Sequence, residues 1–139
     1  MEKKVKYAID KFKDALARMK EGVSEAENEL DKDGVIQRFE FTYEMLWKAL
    51  KIYLEEQGVI GTIQGQTGAP KSCFKESFRL GLIEDEEIFL DMLEDRNKTS
   101  HIYNKETSEE IFERIKSNYI TAIEKALDKL ELAVKKNAS

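Results

Sequence analysis

Apolar residues at Val5, Ala8, Ile9, Phe12, Leu16, Met19 and Val23 advance by threes and fours, the period of an amphipathic helix of about five turns. The pattern fades across residues 24–34, an acidic stretch that reads as a connection or a frayed extension of that helix. It resumes from Val35 through Ile36, Phe39, Tyr43, Leu46, Trp47, Leu50, Tyr53 and Leu54, and Gly58 suits a left-handed stop for this aromatic-rich core helix. Residues 59–68 hold three glycines and read as a surface connection.

Pro70 sits where proline opens a helix, and Phe74, Phe78 and Leu82 follow at four-residue steps up to a stop near Gly81. From Asp85 to about Tyr103 a fourth helix carries Ile88, Phe89, Met92 and Leu93, with three acids at its positive start. Thr107 and Glu110 resemble a capping box opening a long last helix with the stripe Phe112, Ile115, Tyr119, Ile123, Ala126 and Leu130. No strand-like alternation or repeat interrupts this, so the expected fold is all-α: an up-and-down antiparallel bundle of four to five helices over residues 1–134, with 135–139 as a frayed tail.

Composition narrows the function classes. With 41% hydrophobic residues in 139, one core can form, and a net charge of −5 speaks against a general nucleic-acid coat or a polybasic membrane binder. Cys73 is the single cysteine and His101 the single histidine, so neither an internal disulfide nor a His/Cys zinc cluster is expected, and a reducing cytoplasm is the expected setting. The N-terminus never becomes an apolar signal segment, and no stretch approaches a membrane span.

Polar chemistry concentrates in Arg96-Asn-Lys-Thr-Ser-His-Ile-Tyr103. A near-neutral imidazole can take the proton of a ribose 2′-hydroxyl while a guanidinium holds the phosphate, so His101 and Arg96 suit phosphodiester cleavage without a metal or other cofactor. Asn97 and Ser100 are the supporting candidates, as donors to phosphate or holders of the imidazole. On a regular helix Arg96, Ser100 and Tyr103 share one face and Asn97 and His101 an adjacent one, while Arg96 and His101 diverge by about 140°. Cooperation therefore requires the helix to end or kink near Ser100, or a second subunit to complete the site. The structural alternative is a histidine that stabilises a helix C-terminus, with Arg96 paired to Asp91 or to a neighbouring helix.

Other features carry less. Glu94 and Asp95 point apart as sequential neighbours, and Glu40 and Glu44 lack the Glu-x-x-His of a di-iron bundle, so no metal is expected. Lys71, Lys75 and Arg79 step along one face, more often solvated than RNA-binding. Cys73 reads as core filler, and Phe41, off the main stripe, as a candidate interface residue.

The spacing Arg96-x4-His101 in the penultimate helix of a small helical chain resembles the Arg-x4–6-His motif of HEPN domains. With Tyr103 two residues on, the motif is similar to the HEPN group paired with minimal nucleotidyltransferases (MNT). The phrases around Arg38–Lys48, Phe74–Ile83 and Leu93–His101 resemble the branch labelled nucleotidyltransferase substrate-binding protein, over roughly residues 5–132. That resemblance implies a homodimer whose motifs face each other, and a metal-independent endoribonuclease toxin in which Arg96 and His101 are catalytic. It also implies an MNT-type nucleotidyltransferase as antitoxin, silencing the toxin by AMPylation of Tyr103. A non-catalytic substrate-binding or regulatory subunit of the transferase is the alternative.

Overall fold

A computed structural model describes residues 2–59, 68–101 and 104–138. Among them there are only helices: α1 (Glu2–Glu25), α2 (Glu29–Glu56), α3 (Pro70–Arg79), α4 (Glu86–His101), α5 (Lys105–Arg114), a π-helical turn (Ile115–Tyr119) and α6 (Ile120–Ala138). The last three follow one another without a gap as a single rod, giving the five helices of an all-α bundle.

The side-chain pairings fix directions. Lys13 meets Glu131 and Lys20 meets Glu124, so α6 retreats as α1 advances and the two are antiparallel. Thr42 Oγ1 donates to the carbonyl of Ala15 and Arg38 Nη1 to that of Arg18, again one chain rising as the other falls, so α1 and α2 form an antiparallel hairpin. Lys32 reaches Glu109, Phe39 stacks on Tyr119 and Tyr53 accepts from Asn137, so α2 and the last rod run parallel. Helix α4 opposes that rod, because Glu84 just before it meets Lys125 and Lys129 while Asp95 near its end meets Arg114. The result is up-down-up-down, with α3 inserted in the crossover between α2 and α4.

A line of aromatic rings crosses four elements: Tyr119, Phe39, Tyr43, Phe74 and Phe89, with successive centroids 5.4–6.4 Å apart. All five are fully buried, and such tilted and offset contacts add to the large apolar area that each ring removes from water. The stripe Phe112, Ile115, Tyr119, Ile123, Ala126 and Leu130 is buried throughout.

Several boundaries differ from the sequence expectation for identifiable reasons. Helix α2 starts at Glu29, not Val35, because the Asn28 side chain accepts from the Asp31 amide at 2.8 Å and Glu29 and Asp31 sit at the positive helix start. The last rod starts at Lys105 because Asn104, not Thr107, is the cap: its Oδ1 accepts from the Thr107 amide at 2.8 Å, and Thr107 lies inside the first turn. Phe78 is exposed; the buried residues of α3 are Cys73, Phe74 and Ser77, one helical position earlier on the stripe. Gly58 and Gly81 do adopt positive φ, +72° and +80°, where other residues would be strained. Most of the glycine-rich connection, residues 60–67, lies outside the described residues. No helix among the described residues is long and apolar enough to cross a membrane.

Candidate active site

Helix α4 is described from Glu86 to His101, and Asn104 caps α5. Five steps of a regular helix correspond to a turn of about 140° and a rise of about 7.5 Å. The described helix runs without a break from Arg96 to His101. The placement of the His101 and Ser100 side chains, and all of Tyr103, lie outside what is described.

Arg96 is held from α2. Its Nη2 donates to Glu44 Oε1, and its guanidinium carbon stands 5.8 Å from the centre of the Tyr43 ring. The sequence alternative of a neighbouring-helix partner is thus realised, and Glu44 is a paired carboxylate. The Arg96 side chain keeps about a third of its surface open to solvent, 35%. A guanidinium fixed by a carboxylate and, on its face, by a ring is held in a defined plane, and its fork geometry suits carboxylate or phosphate oxygens. The Tyr43 hydroxyl is buried with no partner among the described residues. Burial pushes its phenol far above the ordinary range, with the Arg96 charge pulling the other way.

One residue earlier, Asp95 faces the opposite way, into the bundle, and is 3% exposed while Glu94 is exposed. Arg114 grips it with a two-pronged fork, Nε to Oδ2 and Nη2 to Oδ1, both at 2.8 Å. Tyr119 adds its hydroxyl to Oδ2 at 2.5 Å. Three bonds on one carboxylate satisfy a buried charge that would otherwise destabilise the fold by several kcal/mol. They also stitch the last turns of α4 to both ends of the π turn, since Arg114 directly precedes it and Tyr119 closes it. The hydrogen bonds from Asp95 push the Arg114 guanidinium up, and burial, then Asp95, pushes the Tyr119 phenol up.

Asn97 is exposed on the outer face of α4, and Thr99 Oγ1 donates back to the Arg96 carbonyl at 2.7 Å, a common device near a helix end. The sequence reading did not find the roles of Tyr43, Glu44, Asp95, Arg114 and Tyr119. One signal was present: Asp95 lies three residues after Met92, on the core stripe, and a carboxylate on that face demands a cation. Cys73 is fully buried beside Trp47, and burial pushes its thiol up to about 11, which suits core filler. Lys71, Lys75 and Arg79 are all exposed, and Arg79 Nε donates to Glu76 at 2.7 Å.

Comparison with known proteins places this architecture. A family model described as "Nucleotidyltransferase substrate binding protein like" matches residues 6–132. A "Probable ribonuclease HepT" of Haemophilus influenzae is 34% identical over 82 residues, which is 59% of this chain and 56% of that protein. The chain therefore spans little more than half the length of the curated relative it matches. Among solved structures, a protein of Thermus thermophilus is similar at a TM-score of 0.74 and 35% identity, covering 86% of this chain and 98% of that one. A Haemophilus influenzae protein, whose structure is titled as revealing the fold of a substrate binding domain of a nucleotidyltransferase, shares the fold at TM-score 0.67 and 22% identity. It covers 94% of this chain and 99% of its own.

Proposed function

The chain belongs to the nucleotidyltransferase substrate binding protein-like family, and from that premise we propose that it is a HEPN-type, metal-independent endoribonuclease. The observation that carries this reading is the pre-oriented Arg96, on the same helix as the chain's single histidine and anchored through Asp95. The 34% identity to a probable ribonuclease supports it.

In the proposed reaction His101 takes the proton from a ribose 2′-hydroxyl, and the freed oxygen attacks the adjacent phosphorus. Arg96 holds the non-bridging oxygens and stabilises the charge that builds on them. The bond to the 5′-oxygen breaks, and that oxygen leaves with a proton from a second imidazole. The second imidazole comes from the other copy in a homodimer, which also answers the divergence of Arg96 and His101 on one helix. Asn97 and Ser100 assist by contacting phosphate or the imidazole. Single-stranded RNA should be cut in EDTA, leaving 2′,3′-cyclic phosphate ends, and an oligonucleotide with every 2′-hydroxyl methylated should stay intact. Cleavage of the methylated strand would rule this chemistry out.

An MNT-type nucleotidyltransferase is the proposed partner, neutralising the toxin in a reducing cytoplasm by transferring AMP to Tyr103. A bulky anion two residues from His101 would block the cleft and repel phosphate. Incubation with ATP and the transferase should add AMP increments to the intact mass, and Tyr103→Phe should abolish them; unchanged addition to that variant would place the modification elsewhere. A second reading is favoured by the net charge of −5, which is unhelpful to an RNA-cleaving surface: a non-catalytic substrate-binding or regulatory subunit of the transferase. Intact RNA together with a stable transferase complex would support that second reading.

A further inference from the structure

The α1–α2 hairpin carries a groove built from two adjoining hollows of about 360 and 380 Å³ that share Phe41. Its apolar lining includes Tyr7, Ala8, Met45 and Ile52. Phe41 and Tyr7 are 53% and 65% exposed, so two large rings stand in water where nothing in the fold requires them. The polar lining is one-sided: Lys11 and Lys48 border one hollow, Arg18 and Arg38 the other, and no carboxylate lines either.

Some cations elsewhere on this acidic chain pair with glutamates, Lys13, Lys20, Lys32 and Lys125 among them. No carboxylate salt bridge is found for the groove's four cations among the described residues. Instead Lys11 lies 5.4 Å from the Tyr7 ring centre and Arg38 donates to the Arg18 carbonyl at 2.7 Å. An apolar floor between unneutralised basic walls is complementary to an apolar ridge between acidic flanks.

We infer that the α1–α2 groove docks an acidic amphipathic helix of a partner protein. From Tyr7 to Arg18 the groove follows twelve residues of α1, about 17 Å, which three turns of a partner helix would fill. Its leucine-like ridge would seat against Phe41 and Met45, and its carboxylates would meet Lys11, Lys48 and Arg18. A second copy docking symmetrically is the poorer occupant, because a two-fold axis would set these cations against themselves. The inference stands on the groove and is independent of the ribonuclease reading.

The test uses isotopically labelled full chain and a synthetic helical peptide of about 14 residues with a leucine ridge and glutamate flanks, beside the same peptide with lysine flanks. Titration by NMR should shift the signals of Tyr7, Lys11, Phe41 and Met45 with the glutamate peptide only, more weakly at high salt. Phe41→Ser, and independently Lys11→Glu with Lys48→Glu, should each weaken binding about tenfold or more while the circular dichroism stays native. Equal binding of the lysine peptide, or shifts elsewhere, would overturn the proposal. So would a single-stranded RNA oligonucleotide that takes the groove when the peptide does not, or a concentration-dependent dimer that Phe41→Ser dissolves.

Discussion

Arg96 and Asp95 are neighbours in sequence with opposite tasks, because one helical step turns the side chain by about 100°. Asp95 turns inward and is consumed by structure; Arg96 turns to the rim, where Glu44 and Tyr43 orient it without enclosing it. What recommends arginine here is its planar fork and its ring contact, neither of which lysine reproduces. Arg96→Lys should therefore lower kcat/KM for RNA by about 10- to 100-fold, with the melting temperature nearly unchanged because a pair this exposed adds little stability. Steady-state kinetics beside thermal melting would check this, and a fully active lysine variant would show that only a positive charge is needed. At this scale the candidate motif was legible because arginine, asparagine and histidine stood together in one phrase. Its supports were not, since Glu44 lies 52 residues from Arg96 and only the packing of α2 on α4 joins them.

Periodicity foretold the helices better than their ends. The stripe from Phe112 to Leu130 is buried at every position, yet the same four-residue step from Ile115 to Tyr119 fits an α or a π turn, so the π turn could not be read from spacing. Both helices that start earlier than periodicity places them share one cause, an asparagine cap before an acidic first turn, at Asn28 and again at Asn104. The π turn is bracketed by Arg114 and Tyr119, the two residues that hold Asp95, and so couples the last rod to the end of α4. Tyr119→Phe removes one of three bonds on that carboxylate and should destabilise the protein by about 1–2 kcal/mol. Hydrogen exchange should quicken most in the last two turns of α4. A loss spread evenly over all helices would mean that the bond does not anchor that end specifically.

Across the whole molecule the aromatic line sets a pH limit. Tyr43 and Tyr119 are two of the chain's five tyrosines, and burial raises both phenols above their unfolded value of about 10. A raised folded pKa means that the unfolded chain loses these protons first. The stability tied to them is present below about pH 10 and is lost as the pH climbs above it. The melting temperature should stay level up to about pH 9.5 and then fall, with the two buried tyrosines ionising only as the helical signal disappears. All five titrating together while the fold persists would contradict the burial described.

The up-down-up-down order, with α3 between α2 and α4, packs α4 on α2 so that Glu44 meets Arg96. The most direct measurement of the central claim is cleavage of single-stranded RNA in EDTA by the native chain and by His101→Ala at equal concentration. The account predicts that the alanine variant retains the native circular dichroism and cuts at least about 100-fold more slowly. Cleavage by that variant at the native rate, or no cleavage by the native chain, would contradict it.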